Sequence, residues 1–465
     1  MLDRLRAHLD ETGMIPSGCR VVVAYSGGAD STCLLHLLHE LGVDVVAAHL
    51  HHGMRPEADD EMAQAQAFCD QLGVPLATGR ANIYELAEAH KVGVEEAGRM
   101  ARQNFLRQVA FRVEADRIAT GHTRDDHIET ILFHLVRGTG LSGLTGIHAD
   151  RDGLVRPLLI FTREETRAYC KERGFWFHDD PANGDLNFSR ARIRHKVVPE
   201  LRLVHPGADE SIVRLSEIAQ EEDDFLNRAA AAGLEHAELP QNGDLAFLSQ
   251  DVELAYRRDV LSALPPVLLK RGLRLASRVL GASLSFDQTH RLTEGISAGS
   301  QGSVTAEGGE VVVTWNESMV HFERLNATVP FRYPLTVPGE TDSEEFGWSF
   351  QAHVAPAETA NERASLTAAL LASEIKGPLH FRTWKEGDKL IPLGGTGHRM
   401  LSDLFGEAGL TALARRRLPI VCDIQGPIWA PGVCLAERVG RVQPGESAFL
   451  LQFGPLLDLP GHNRG

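Results

Sequence analysis

The stretch Ser26-Gly27-Gly28-Ala29-Asp30-Ser31 decides the fold of the first part of this chain. It follows the apolar run VVVAY at 21–25 and leads into TCLLHLL at 32–38. This order predicts a buried strand, a tight glycine turn and a helix. Adjacent glycines let the backbone fold around an anion, and the helix start directs unpaired N–H groups at it. We therefore expect this loop to bind a pyrophosphate group.

Short apolar strands and amphipathic helices alternate from about residue 20 to 180. Further strands are predicted at 43–49 and 117–121, and helices at 61–72 and 102–113. This βαβ rhythm is typical of an α/β domain with a parallel sheet covered on both faces. Ligands of such sheets bind beyond the carboxyl ends of the strands. The segments that follow the strands should therefore converge on one crevice.

Length, charge and cysteine content limit the class of protein. The chain has 465 residues, enough for two or three domains, and a formal net charge of −16. No apolar run is long enough to span a bilayer, so we expect no membrane segment. The six cysteines are scattered without a Cys-x-x-Cys pair, which favours a cytoplasmic protein and argues against a metal-cluster site.

The pattern changes near Pro206, and this change suggests further domains. Helical spacing of apolar residues predicts helices at 211–232 and 252–264, and alternation predicts a strand pair at 303–314. The predicted domains are a catalytic domain at 1–205, a mainly helical domain at 206–330, a linker with weak strands at 331–376, and a small α+β domain at 377–465.

A second motif, GHTRDDHIET at 121–130, starts at a strand end and enters a helix. His122, Asp126 and Glu129 are spaced so that they share one helical face or its approach. Carboxylates beside a pyrophosphate loop suit Mg²⁺, which prefers oxygen ligands. The alternative is that Asp125 and Asp126 only cap the helix.

Three further motifs carry charge or imidazole groups. HLHHGMR at 49–55 is predicted to be a loop at the nucleotide rim, since a zinc site would normally need four ligands and no cysteine is near. Glu95, Arg99 and Arg102 share a helical face, which on its own is typical of a solvated salt-bridge surface. A basic run after DDPAN (179–183) suits phosphate groups, although it could equally face solvent; it contains Arg190, Arg192, Arg194 and Lys196.

Together these motifs resemble those of the tRNA(Ile)-lysidine synthases, a family of bacterial RNA-modifying enzymes. The loop SGGADS alone marks the wider PP-loop ATP pyrophosphatases, and its combination with GHxxDDxxET and RxRIR is much more specific. The resemblance runs from about residue 18 to 205 and resumes at 382–438. It departs at Arg399-Met400, where the family has a lysine pair, so a tRNA contact there is in doubt.

The resemblance implies an ATP-dependent ligase. ATP binds at residues 26–31, and Mg²⁺ lies near Asp30, Asp126 and Glu129. The C2 oxygen of cytidine 34 in a tRNA(Ile) with a CAU anticodon attacks the α-phosphorus; free L-lysine then displaces AMP and forms lysidine. The catalytic candidates are Asp30, His122, Asp126 and Glu129. The candidates for binding substrate or tRNA are Glu95, Arg99, Arg102, Arg190, Arg192 and Arg194.

Three matters stay open at this level. A tRNA thiolase of the same superfamily is the alternative function, although the paired cysteines such enzymes usually use are missing from this sequence. The group that deprotonates lysine could be Asp126, Glu129 or Glu95. A homodimer is compatible with the family, but the sequence shows no interface.

Overall fold

A computed structural model describes residues 1–51, 58–178, 186–239, 243–325 and 330–456, apart from the side chains of Ala58, Asp59 and Glu95. The chain divides into two compact units, Met1–Phe225 and Leu226–Gly465, and each is described by itself.

The first unit alternates helices and strands as the sequence predicts. Its strands are β1 (Arg20–Ala24), β2 (Asp44–His51), β3 (Leu76–Arg80), β4 (Arg117–Thr120), β5 (Asp150–Arg151) and β6 (Leu154–Val155). Its helices are α1 (Leu2–Thr12), α2 (Ala29–Glu40), α3 (Ala58–Leu72), α4 (Ile83–His90), α5 (Val94–Arg112), α6 (Arg124–Val136), α7 (Leu141–Leu144), α8 (Arg163–Glu172), α9 (Ser189–Arg192), α10 (Val198–Val204) and α11 (Ala208–Ala237), the last of which ends in the second unit.

The strands of the first unit form one sheet in the order β3-β2-β1-β4-β6-β5. All neighbours are parallel except β5 and β6, which confirms the predicted parallel sheet. Val21 and Val23 are fully buried on one face of β1 and Val22 is fully buried on the other, which explains why this strand reads as a continuous apolar run. Strand order reverses at β1, so the segments after β1 and β4 lie side by side at the carboxyl edge, where α/β proteins bind ligands.

The second unit is built on antiparallel sheets. Its strands are β7 (Glu253–Arg257), β8 (Gly302–Thr305), β9 (Val311–Trp315), β10 (Met319–Arg324), β11 (Arg332–Pro334), β12 (Gly339–Ser343), β13 (Trp348–Pro356), β14 (Thr367–Leu371), β15 (His380–Arg382), β16 (Lys389–Leu390), β17 (Arg399–Met400), β18 (Ile420–Asp423), β19 (Gly426–Ala430), β20 (Cys434–Leu435) and β21 (Ser447–Pro455). Its helices are α12 (Arg258–Ser262), α13 (Pro266–Val279), α14 (Phe286–Ser297), α15 (Leu401–Glu407), α16 (Ala412–Arg417) and α17 (Glu437–Gly440).

One element of the second unit differs from its prediction. The helix predicted at 252–264 is wrong over its first half, because residues 253–257 form β7 and the helix begins only at Arg258. β7 pairs with β10, with Tyr256 opposite Val320. This long-range pairing overrides the local helical spacing of the apolar residues. The predicted strand pair at 303–314 is confirmed as β8 and β9.

The remaining strands of the second unit include those found within the predicted linker, β11 to β14. The boundaries proposed at 205, 330 and 376 stay predictions. No helix in the described ranges is both long and apolar enough to cross a membrane.

Candidate active site

The turn between β1 and α2 has the conformation expected of an anion-binding loop. Gly27 has φ of +79°, a left-handed conformation that favours glycine, and Ala29 begins the helix. Ser31 closes the loop: its Oγ accepts from the Ser26 amide at 3.2 Å and donates to the Gly28 carbonyl at 3.0 Å. The first amides of α2 are thereby directed into the crevice at the strand ends, where a phosphate would meet them.

Gly121 directly follows β4 and packs against this loop. A Cβ atom at Gly121 would lie 3.0 Å from the amide nitrogen of Ser31 and 3.1 Å from the carbonyl carbon of Asp30. Because both neighbours are backbone atoms of a helix, they could not move aside cheaply. The glycine of the second motif therefore brings the two predicted motifs into direct contact.

His122 follows at once and is held as a neutral imidazole. Its Nδ1 lies 2.8 Å from the hydroxyl of Thr120. Burial lowers its pKa; Asp126 opposes this change, while the nearby guanidinium groups of Arg156, Arg102 and Arg190 add to it. Three arginines around one uncharged imidazole create a positive region suited to phosphate oxygens.

Asp126 is in the first turn of α6 and caps this helix, as the alternative to metal binding predicted. Its Oδ2 accepts from the amide and the hydroxyl of Thr123, at 2.8 and 2.9 Å. Its Oδ1 accepts from Nη2 of Arg163 at 2.5 Å. Burial alone would raise the pKa of Asp126, but Arg163 and the Thr123 amide outweigh it and hold the pKa below its usual value.

Glu129 is buried one turn further along α6, with 4% of its surface exposed. It accepts three hydrogen bonds from two arginines: Nη1 of Arg163 reaches Oε1 at 2.9 Å, and Nε and Nη2 of Arg194 reach Oε1 and Oε2 at 2.8 Å each. Arg194, which we expected to contact tRNA, therefore has a buried carboxylate partner. Its tRNA contact stays a prediction.

The first turn of α8 supplies two site residues that sequence reasoning missed, Arg163 and Thr166. Thr166 donates a short hydrogen bond from its hydroxyl to Oδ1 of Asp30. Nε of Arg163 lies 4.0 Å from Oδ2 of the same carboxylate. Burial raises the pKa of Asp30 to about 6. The hydrogen bond from Thr166 lowers this pKa, and the negative charge of Asp126 raises it further.

The Mg²⁺ site predicted at Asp30, Asp126 and Glu129 stays a prediction, and the hydrogen-bond donors around these carboxylates bear on it. Asp126 and Glu129 have both carboxylate oxygens engaged by hydrogen-bond donors, and Arg163 lies among the acids where a cation would be expected. Within the described ranges, no three His, Cys, Asp or Glu side chains are arranged to hold a metal ion. Asp30 fits an ion better, since its Oδ2 is beyond hydrogen-bond distance of the Arg163 guanidinium.

The other charged candidates are spread over helices of the same unit. Arg190 and Arg192 are exposed on α9. Arg99 pairs on the surface of α5 with Glu96, at 2.8 Å. Arg102 is exposed on the same helix. Glu95 is also on α5, but its side chain lies outside the described residues.

Two motifs fall partly or wholly outside the described residues. His49 is buried at the end of β2, and its Nδ1 lies 2.9 Å from the carbonyl oxygen of Tyr25. Residues 52–55 of the same motif and residues 179–183 are outside the described ranges.

Asp126, Glu129, Arg163 and Arg194 form an acid–arginine cluster, and a small pocket of about 80 Å³ opens beside it. Its lining residues are Asp125, Ile128, Glu129, Arg194, Val198 and Arg202. Carboxylates, guanidinium groups and aliphatic walls together are suited to a zwitterion with an aliphatic side chain.

Comparison with known proteins agrees with this architecture. A family model described as a PP-loop domain matches residues 3–201, and one described as the TilS substrate C-terminal domain matches residues 379–450. A tRNA(Ile)-lysidine synthase from Geobacter sulfurreducens is 32% identical, over 97% of this chain and 96% of that protein. Synthases of the same name from Geobacillus kaustophilus and Bacillus subtilis are 30% and 28% identical, each over at least 93% of both chains.

Proposed function

This chain belongs to the tRNA(Ile)-lysidine synthase family and uses ATP to form lysidine in tRNA(Ile), and we propose which step of this reaction each described site residue serves. The observation that supports this division is the link between the glycine loop at 26–31 and helix α8: the hydroxyl of Thr166 donates to Asp30, and Nε of Arg163 lies 4.0 Å from the same carboxylate.

In the first step, the loop at 26–31 binds the phosphates of ATP. The C2 oxygen of cytidine 34 attacks the α-phosphorus, the bond from this phosphorus to the bridging oxygen breaks, and pyrophosphate leaves. Backbone amides at the start of α2 stabilise the departing charge. Asp30 is the residue that would hold Mg²⁺ with the phosphates, where the ion offsets their negative charge.

The arginines around His122 are suited to the α-phosphate and the RNA backbone. Arg102, Arg156 and Arg190 are near enough to affect the pKa of His122. A neutral imidazole can donate one hydrogen bond to a phosphate oxygen without competing for these cations. Cytidine 34 is unpaired in an anticodon loop, so its base can enter the crevice at low cost.

In the second step, the ε-amine of L-lysine attacks C2 of the adenylated base, and AMP leaves. We assign lysine to the 80 Å³ pocket beside Glu129. Arg202 and Arg194 would face the lysine carboxylate, and Asp125 and Glu129 its α-ammonium group. Because Asp126 and Glu129 accept hydrogen bonds from arginines, they are better suited to orient an ammonium group than to remove its proton.

Transfer of labelled lysine tests the proposal. The full chain is incubated with ATP, labelled L-lysine and a tRNA(Ile) transcript bearing CAU, and the RNA is counted. We expect label in this RNA and none in a transcript with uridine at position 34; Asp30→Asn is the inactive control. AMP formation that depends on a sulfur donor, with no lysine in the RNA, would favour the thiolase alternative. Five of the six cysteines are buried, which does not support that alternative.

Two finer expectations belong with this proposal. A cytoplasmic location is consistent with the six free cysteines. Sedimentation of the purified chain tests the homodimer, which stays an expectation of the family resemblance.

A further inference from the structure

The guanidinium of Arg163 bridges the two carboxylates of the α6 motif. Nη2 donates to Asp126 Oδ1 at 2.5 Å, and Nη1 donates to Glu129 Oε1 at 2.9 Å. The third carboxylate, Asp30, lies 4.0 Å from Nε. One side chain, itself 21% exposed, thus contacts or neighbours every acid that the sequence assigned to the metal.

The backbone that carries Arg163 is fixed from two sides. Its own amide donates to Oδ2 of Asp125 at 2.8 Å, which joins the start of α8 to the start of α6. Thr166, one turn later, is hydrogen-bonded to Asp30 at the start of α2. Thr162 and Glu165 form a reciprocal cap that sets where α8 begins. The guanidinium is therefore held in place rather than free to swing.

Three carboxylates this close together need a compensating charge. A divalent cation could supply it, but Glu129 already accepts from Arg163 and Arg194, and Asp126 accepts from Arg163 and from the amide and hydroxyl of Thr123. A planar guanidinium can bridge two carboxylates with fixed geometry, which an ammonium group cannot do.

We propose that Arg163 is a positioning residue for lysidine formation. It takes the place of a divalent cation between Asp126 and Glu129 and holds both carboxylates between the ATP loop and the lysine pocket, which Glu129 lines. The expected loss of kcat rests on the proposed function. The expected effect of Arg163 on metal binding does not.

Steady-state kinetics test the positioning role. Arg163→Gln and Arg163→Lys are compared with Arg173→Gln, which changes the exposed C-cap residue of α8, whose guanidinium stacks on Tyr169. We expect Arg163→Gln to lower kcat by about 100-fold, since displacement of catalytic groups by about 1 Å costs that much. Arg163→Lys should recover part of kcat, and tRNA affinity should stay unchanged in both. If Arg163→Gln folds poorly, Arg163→Lys gives the result alone.

The kinetic proposal is overturned if Arg163→Gln keeps the wild-type kcat and KM for lysine. It is equally overturned if Arg173→Gln loses as much activity, because the effect would then belong to the helix and not to this guanidinium.

Binding of Mn²⁺ alone tests the cation role without any need for lysidine activity. Bound ion is counted by electron paramagnetic resonance in nucleotide-free protein. We expect Glu129→Gln to leave the count of the wild-type chain unchanged, Arg163→Gln to gain an ion, and the double variant to lose it again. A wild-type ion that Glu129→Gln removes, or no gain in Arg163→Gln, overturns the proposal. Absence of lysidine formation by the wild-type chain would instead refute the proposed function.

Discussion

Asp30 should make the protein less stable than an uncharged residue in its place would. The side chain is 26% exposed, and burial raises its pKa from 3.8 to about 6. Asp30→Asn removes the charge and keeps the Oδ1 acceptor for Thr166. Since most substitutions at a functional loop destabilise, a gain in stability here would be a distinctive result.

The size and sign follow from proton linkage. The folded chain binds the Asp30 proton more tightly than the unfolded chain, so its stability falls as pH rises through the window from 3.8 to about 6. Above this window the charge costs about 3 kcal/mol, at about 1.4 kcal/mol per pKa unit. Asp30→Asn should therefore raise the unfolding free energy by about 3 kcal/mol at pH 7.5 and by about 1.5 kcal/mol at pH 5.

Urea unfolding followed by circular dichroism at both pH values measures this difference. For a unit of this size, about 3 kcal/mol also corresponds to about 6–12 °C in Tm. Asp10→Asn, on the exposed face of α1, is the matched control and should change nothing at either pH. A loss of stability in Asp30→Asn at pH 7.5, or a gain of equal size at both pH values, would refute the reasoning. Pyrophosphate release should be lost in the same variant.

Three further outcomes are expected. Glu129→Gln leaves the partly buried guanidinium groups of Arg163 and Arg194 short of a buried carboxylate and should cost about 3 kcal/mol. Glu164→Gln at an exposed site should stay within about 0.5 kcal/mol, and equal shifts in thermal unfolding contradict this prediction. Arg192→Gln should weaken tRNA binding and lower the slope of log Kd against log salt by about 1, and an unchanged slope means no phosphate contact. Burial lowers the pKa of His122 below 6.5, so its imidazole C–H resonance should titrate below that pH, and a midpoint above it contradicts the neutral form.

The sequence predicted those parts of the site whose residues are close together along the chain. A glycine turn between an apolar strand and a helix predicts the loop at 26–31, and i, i+3 spacing predicts that Asp126 and Glu129 share a face of α6. It also predicted capping as the alternative role of Asp126, and the structure shows this cap.

Sequence reasoning failed where partners are distant along the chain. Arg163 is 37 residues from Asp126, and Arg194 is 65 residues from Glu129, so no spacing rule links them. One signal was available: Thr162-Arg163-Glu164-Glu165 is a capping-box pattern, which marks a helix start just after the apolar residues 157–161. A helix beginning at the edge of the sheet directs its first turn toward the ligand crevice.

The close approach of Gly121 to the loop offers a way to separate docking from chemistry. Alanine at this position would push against the backbone of Asp30 and Ser31 by a few tenths of an ångström and leave every charged side chain in the protein. The Gly121→Ala variant should still bind its RNA, but its loop at 26–31 should no longer bind the phosphates of ATP correctly. This variant could be used to isolate the complex with tRNA, because the RNA would be bound but not modified.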